Sequence, residues 1–312
     1  MSFYGSELQK YTSYKGHASD SVKQILFTDK GVLSISAHSV HLSSRPGLTI
    51  WHLTHELFRD LQCMSFTSKG THELLVAGCQ DSMFKIDVEN GTISETVSYK
   101  NNLILELLTL GQLQTQENYT IMKKGGQFIC AATNSGVVHI LDPSNLQPVK
   151  TWQAHVGWIN DMDAKSDYLV TCGWSPRQQH GFMLDPLANV FSLKTLQPLP
   201  PIPFQPGAAF VRMHPRMSTT CIIASQTGQL QVVDIHNPNT VNLKQARVFE
   251  NTYLNWLEMA PSGEALALGN TMCQIHLWGS PTKMQFAEYS NPTSFADAAP
   301  RPSASLDWSP DK

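Results

Sequence analysis

Pro261-Ser-Gly263, Ala265-Leu-Ala-Leu-Gly269 and Ile275-His-Leu-Trp-Gly279 follow one another within a few residues: a turn, a largely apolar run, then an alternating run marked by Trp. A run with apolar residues at successive positions suits a strand covered on both faces, whereas alternation suits a strand nearer solvent. The same order recurs upstream. Lys30-Gly31 precedes Val32-Leu-Ser-Ile-Ser36, and Lys69-Gly70 precedes Leu74-Leu-Val-Ala-Gly78. Second runs recur at Leu48-Thr-Ile-Trp-His52, Phe84-Lys-Ile-Asp87, Val138-His-Ile-Leu-Asp142, Val190-Phe-Ser192 and Leu230-Gln-Val-Val-Asp234.

Their ends at 52, 87, 142, 192, 234 and 279 are separated by 35, 55, 50, 42 and 45 residues. A period near 45 is that of a four-stranded propeller blade. Turn pairs such as Asn90-Gly91 and Thr227-Gly228 punctuate the runs. Six repeats are traced directly. The chain's 312 residues divided by about 45 give nearly seven, so the expected fold is all-β, a seven-bladed β-propeller. Residues 1–280 form it in this reading, with a strand within Phe3 to Tyr14 closing the last blade. Residues 281–312 supply last-blade strands and run into a Pro-rich linker: Asn291-Pro-Thr, Ala299-Pro-Arg-Pro302, Ser309-Pro310. One boundary stays open, because Leu103 to Leu110 and Tyr119 to Lys124 compete for the same inner strand.

Charged residues make up 15% of the chain, and the formal charge of −3 gives no global field for phosphate backbones or anionic lipid. No apolar run reaches the roughly 18 residues of a membrane span, and Met1 to Lys10 has no signal-peptide core, so an intracellular, cytoplasmic protein with no membrane partner is expected. The six cysteines form no CxxC pair; Cys79, Cys130, Cys172 and Cys221 lie in or at the end of apolar runs and read as reduced, small buried hydrophobes.

The chemical motifs are weak. His52-Leu-Thr-His55-Glu56 has the wrong order for a zinc protease, and His38 and His41 would point to opposite faces of a strand, so no metal site is expected. Asp161 and Asp163 share one strand face and are the first suspects should the propeller be an enzyme. No nucleophile elbow or phosphate loop occurs, and the expected catalytic residues are none. For binding, the polar insertion Gly173 to Pro186 carries Trp174, Arg177 and His180, residue types favoured at interfaces. Trp158, near the entry to the fourth blade, and Tyr253 and Trp256, at the entry to the sixth, complete the candidate partner-binding set.

Gly16-His17 and Ala154-His155 resemble the Gly-His step of the WD-repeat family. Trp51 and Trp278 resemble its Trp, and Asp142 and Asp234 its Asp. The resemblance implies a buried blade-fixing network, for which His17, Ser34 or Ser36, and Trp51 are the nearest match. Tyr168-Leu-Val-Thr-Cys-Gly-Trp-Ser-Pro-Arg177, Phe210-Val-Arg-Met-His-Pro215, Ile223-Ala-Ser-Gln-Thr-Gly228, His276-Leu-Trp278 and Pro292-Thr-Ser-Phe-Ala-Asp297, in this order, resemble the WD-repeat propeller of the catalytic subunits of poly(A)-nuclease (PAN) deadenylation complexes. That resemblance implies a non-catalytic piece of a cytoplasmic poly(A)-specific 3′–5′ exoribonuclease. It would engage a pseudokinase-like regulatory subunit and help position poly(A) RNA with its poly(A)-binding protein. It needs no cofactor of its own, magnesium being expected only in an exonuclease domain that this sequence does not contain. Direct poly(A) RNA binding through an aromatic and basic patch is the alternative, and an unrelated propeller enzyme a third reading.

Overall fold

The structure is a computed structural model that describes residues 2–4, 7–9, 13–67, 70–79, 82–98, 118–177, 181–238, 243–245 and 252–279. Strands β1 (Ser2–Tyr4) and β2 (Glu7–Gln9) pair with each other as a short antiparallel hairpin. Blade one is β3 (Gln24–Phe27), β4 (Val32–Ile35), β5 (Ser39–Ser43) and β6 (Thr49–Thr54). Blade two is β7 (Leu61–Phe66), β8 (Glu73–Gly78), β9 (Ser82–Asp87) and β10 (Thr92–Ser98). Blade three is β11 (Tyr119–Gly125), β12 (Phe128–Thr133), β13 (Val137–Leu141) and β14 (Pro148–Gln153). Blade four is β15 (Ile159–Lys165), β16 (Tyr168–Arg177), β17 (Gly181–Leu184), β18 (Leu187–Ser192) and β19 (Gln197–Pro203). Blade five is β20 (Phe210–Met213), β21 (Thr220–Ala224), β22 (Gln229–Asp234) and β23 (Leu243–Gln245). Blade six is β24 (Leu254–Met259), β25 (Ala265–Asn270) and β26 (Ile275–Gly279). Each blade is an antiparallel meander in chain order, with β17 branching off β16 in blade four.

Six blades, not seven, are present among the described residues. The count of seven came from dividing the whole length by the repeat, which assigned both chain ends to one more blade. The first end forms its own two-stranded sheet, and residues 280–312, the Pro-rich stretch included, lie outside the described residues. The closing-strand expectation for Phe3 to Tyr14 therefore has its proposed partners outside the description. The inner strand of blade three is Tyr119–Gly125, while Leu103 to Leu110 lies outside the described residues.

Alternation on the inner strands explains the core. Leu74 and Val76 of β8 face blade one, packing with Leu33, Ile35 and Leu42. Their neighbours Leu75 and Ala77 face blade three, packing with Tyr119, Ile129 and Ala131. Cys130 and Ala132 of β12 turn the other way, towards Ile159, Met162 and Leu169 of blade four. Further clusters join blades four and five around Val170, Val190, Val211 and Ile223, and blades five and six around Ala224, Leu230, Leu257 and Leu268. Each fully buried aliphatic side chain contributes about 1.5–3 kcal/mol, so the interfaces between blades carry the stability. The innermost strand carries a one-residue register shift near its start in blades two, three, four and six, between Leu61 and Cys63, Tyr119 and Ile121, Ile159 and Asp161, and Leu254 and Trp256. Such bulges tighten local twist, which bends the strand at the rim.

Up-and-down order places every connection between blades on the same rim as the turns between second and third strands. The opposite rim holds the tight turns closing third and fourth strands, and an Asp side chain builds three of them. Asp87, Asp142 and Asp234 accept the amides of Glu89, Ser144 and His236 two residues on, at 2.8, 2.8 and 3.0 Å. Asp142 and Asp234, which resemble the family's Asp, serve here as turn formers.

Candidate functional site

Adjacent inner strands are stitched by polar side chains. Gln24 of β3 accepts from Met64 N at 2.8 Å and donates to Met64 O at 3.0 Å, imitating a strand ladder between blades one and two. Asp161 Oδ2 accepts from Val211 N at 3.0 Å and from Arg212 Nη1 at 2.6 Å, while Asp163 Oδ2 accepts from Met213 N at 2.8 Å. Arg212 reaches on to Glu258 at 3.3 Å and Lys123 approaches Asp163 at 3.9 Å, so the chain of charges spans blades three to six. Burial raises the Asp163 carboxyl, against the pull of Lys123 and Arg212. Burial likewise opposes the Arg212 charge, but Asp161, Glu258 and Asp163 outweigh it and hold the guanidinium firmly protonated. The two aspartates singled out for acid-base chemistry have their inward oxygens occupied by the next blade's backbone. They act as ties between blades.

The histidines follow the same logic. His17 is buried, with Nδ1 2.6 Å from Ser39 Oγ and Nε2 2.9 Å from Ser34 Oγ. Ser36 is linked only through Ser39, at 2.9 Å, and Trp51 stands apart, its Nε1 donating to Val88 O of blade two at 2.9 Å. The expected network thus keeps His17 with Ser34, adds Ser39, and leaves Trp51 as an inter-blade tie. Blade four holds an equivalent at the Ala154-His155 step, with partners that the sequence reading does not assign: His155 Nδ1 meets Asp185 Oδ2 at 2.5 Å and Nε2 meets Thr171 Oγ1 at 3.0 Å. The signal was there, since His155 and Thr171 are 16 residues apart and His17 and Ser34 are 17. His38 lies in the turn between β4 and β5 rather than on a strand, exposed and bonded to Asp20 at 2.8 Å, while His41 of β5 is buried. Among the described residues, no group of three or more His, Cys, Asp or Glu side chains is placed to hold a metal ion. No helix among them is long and apolar enough to cross a membrane.

The insertion in blade four is a hairpin. Strand β16 runs beyond the blade and pairs with β17, Trp174 opposite Leu184 and Pro176 opposite Phe182. Trp158, from the connection between blades three and four, lies between two aromatic rings. It stacks on Trp174 with centroids 5.2 Å apart and 26° between planes, and meets Phe182 at 4.9 Å. Trp174 is half-buried, its Nε1 donating to Asn160 Oδ1 at 3.1 Å. Trp158 is 40% exposed, Phe182 50% and Val156 71%, so the rings form an apolar shelf on the rim. Beside it lies a shallow cavity of about 210 Å³ lined in part by His155, Val156, Ser175, Asp185 and Leu187.

Gly157 makes the shelf possible, because a Cβ there would lie 2.5 Å from Trp174 O and 3.3 Å from the Phe182 ring. Arg177 is exposed at the hairpin's end, and His180 lies outside the described residues. Tyr253 is exposed on the same rim but in blade six, beside Thr271. Trp256 stands on strand β24 rather than in a loop, with its Cβ over Gly269. The structure therefore brings Trp158, Trp174 and Phe182 together and leaves Tyr253 and Trp256 apart from them. Phe182 was missed because a lone Phe after Gly181 carries no pattern of its own.

The sequence model of the family described as PAN2 N-terminal matches residues 1–279. A PAN2-PAN3 deadenylation complex catalytic subunit PAN2 from Phaeosphaeria nodorum is 58% identical over 312 residues, covering 99% of this chain and 26% of that protein. The subunit of the same name from Coccidioides immitis is 54% identical, covering 99% of this chain and 24% of that protein. The chain thus spans about a quarter of the length of these curated relatives. Among solved structures, the Neurospora crassa Pan2 WD40 domain superposes with a TM-score of 0.79 at 41% identity, covering 92% of this chain and 84% of that one. The structure of U3-55K, at 13% identity and a TM-score of 0.64, shares the fold alone. With its WD40 β-propeller fold and a match along nearly its whole length, this chain belongs to the PAN2 N-terminal family.

Proposed function

We propose that this propeller is a non-catalytic protein-interaction platform in a cytoplasmic poly(A)-specific deadenylase. It binds the PAN3 subunit named with its relatives and helps position the poly(A) ribonucleoprotein. The observation that carries this reading is the exposed shelf of Trp158, Trp174 and Phe182, an apolar aromatic surface on a rim whose strands are otherwise packed. The polar clusters most suited to chemistry are already committed to structure, Asp161–Arg212 between blades four and five and His155–Asp185 within blade four.

Trp158 also presents a ring on which a base could stack. Single-strand binding combines stacking with a basic groove, however, and Arg177 is the lone cation on the hairpin's described residues. A protein surface is the better match. Calorimetry of the 312-residue chain with purified PAN3 subunit, and separately with oligo(A) at two salt concentrations, tests this. Expected are PAN3 binding weakened about tenfold or more by Trp158→Ala, and no salt-sensitive oligo(A) binding. Oligo(A) binding without PAN3 binding overturns the platform reading in favour of RNA.

A further inference from the structure

The hairpin of blade four offers more than an apolar shelf, because its outer strand has an open backbone edge whose direction follows from the hydrogen bonds. Trp174 donates to Trp158 O at 3.0 Å and accepts from Gly157 N at 2.7 Å, so its peptide groups point away from β17. Alternation then turns Ser175 and Arg177 towards β17, opposite Met183 and Gly181. The peptide groups of Phe182 face the opposite way. Its cross-strand partner is Pro176, which has no N–H to give. Among the described residues nothing pairs with that outer edge: β17 pairs with β16 alone, and the turn at Gly207 closes off only the Leu184 end.

Side chains around this edge specify what could add to it. A residue opposite Phe182 on an added strand would project onto the same face as Phe182 and Trp158, where the surface is apolar and exposed. Its neighbour, opposite Gly181, would project onto the other face, the face of Arg177. Gly181 carries no side chain, and a Cβ there would meet nothing within 4 Å beyond its chain neighbours, so Gly181 itself puts no side chain between Arg177 and that neighbour. Two strand spacings come to about 10 Å, which a guanidinium and a carboxylate span between them. Arg177 makes no ion pair among the described residues, whereas Asp185, at the other end of the hairpin, is held by His155. The charge left open on the edge is therefore positive.

We propose that the free edge of β17 captures an extended segment of a protein partner by strand addition, and that the segment carries an apolar residue next to an acidic one. The apolar side chain lies on Phe182 and Trp158, the carboxylate meets Arg177, and the Phe182 peptide group supplies the backbone bonds. This rests on the platform reading and names the chemistry its rim selects.

The test is to pan a displayed library of random dodecapeptides on the 312-residue chain, then measure the enriched peptides by fluorescence anisotropy. Enrichment of an adjacent apolar–acidic pair is expected. Affinity should fall about tenfold or more with Phe182→Ala, which removes the ring, and further with Phe182→Pro, which also removes the outward N–H but no bond within the hairpin. Arg177→Glu should reject the selected peptides and accept counterparts carrying Lys at the acidic position, a reversal that a misfolded variant cannot give. No enrichment, enrichment without the pair, or peptides indifferent to Phe182 and Arg177 each overturn the proposal. PAN3 binding retained in Phe182→Pro removes this proposal alone; PAN3 binding absent in the unaltered chain removes the platform reading.

Discussion

Arg212 of blade five lies 2.6 Å from Asp161 of blade four, both side chains largely buried, with the Val211 amide closing on the same carboxylate oxygen. Each partner is thus the main compensation for the other's lost hydration, and Glu258 and Asp163 extend the arrangement to the neighbouring inner strands. Removing one member of such a pair strands the other as an uncompensated buried charge.

Arg212→Met should therefore destabilise the propeller by about 3–5 kcal/mol, whereas Arg212→Met with Asp161→Leu should recover much of that loss. Chemical denaturation of the single and double variants checks it. Losses that simply add would show that the pair is not coupled.

The inner strands were legible because burial leaves a plain mark: Leu74 to Ala77, buried on both faces, reads as an apolar run without reference to anything distant, and so does Ala265 to Leu268, although there buried Leu alternates with half-buried Ala. The stitches between blades were not, since Asp161 and Arg212 are 51 residues apart and only the closing of one blade on the next brings them together. Counting blades failed for a related reason. Length divided by period weighs every residue alike, whereas β1 and β2 answer to each other. At the rim, Trp158 and Trp174 could be suspected from residue type, but their stacking depends on Gly157 and on the hairpin built by β17, which composition does not reveal.

Blade one should lose stability in mild acid. His17, His41 and His52 have ring centroids 5.7–6.2 Å apart, and His41 Nδ1 is buried with no hydrogen-bond partner among the described residues. Burial first, then the neighbouring imidazoles, holds His17 and His41 below the ordinary value of 6.5, with Asp20 opposing weakly at His17. The unfolded chain then binds more protons than the folded one as pH drops below 6.5, so the stabilisation is whole above that value and lost on descending through the folded values. Melting temperature should be level from pH 8 to about 6.5 and fall below it, and His52→Gln should soften the fall. A flat profile down to pH 5 would contradict the coupling.

Gly173 should tolerate no side chain. A Cβ placed there would lie 2.3 Å from His155 Cγ, and that ring is pinned on both sides by Asp185 and Thr171. Gly173→Ala must displace either the ring or the strand, at a cost of about 1–3 kcal/mol or more. Because β16 continues from Gly173 into the hairpin, the same change should also weaken PAN3 binding. Denaturation and calorimetry on one preparation separate the two effects.

The cysteines supply a probe of blade integrity. Cys63, Cys130, Cys172 and Cys221 are buried in the interfaces between blades and unpaired, and burial raises each thiol far from its reactive range, Cys221 to about 12. Cys79 is half-buried and raised to about 11 by burial and by Asp60. Cys273 is exposed in the turn between β25 and β26. Thiolate is the reactive species, so iodoacetamide at neutral pH should label Cys273 first and leave the four buried thiols untouched until the blades separate. Mass spectrometry of the native chain should show that order. Arg212→Met should then expose Cys172 and Cys221 ahead of Cys63, since blades four and five lose their charged tie while the interface between blades two and three, where Cys63 lies against Tyr119, keeps all its contacts.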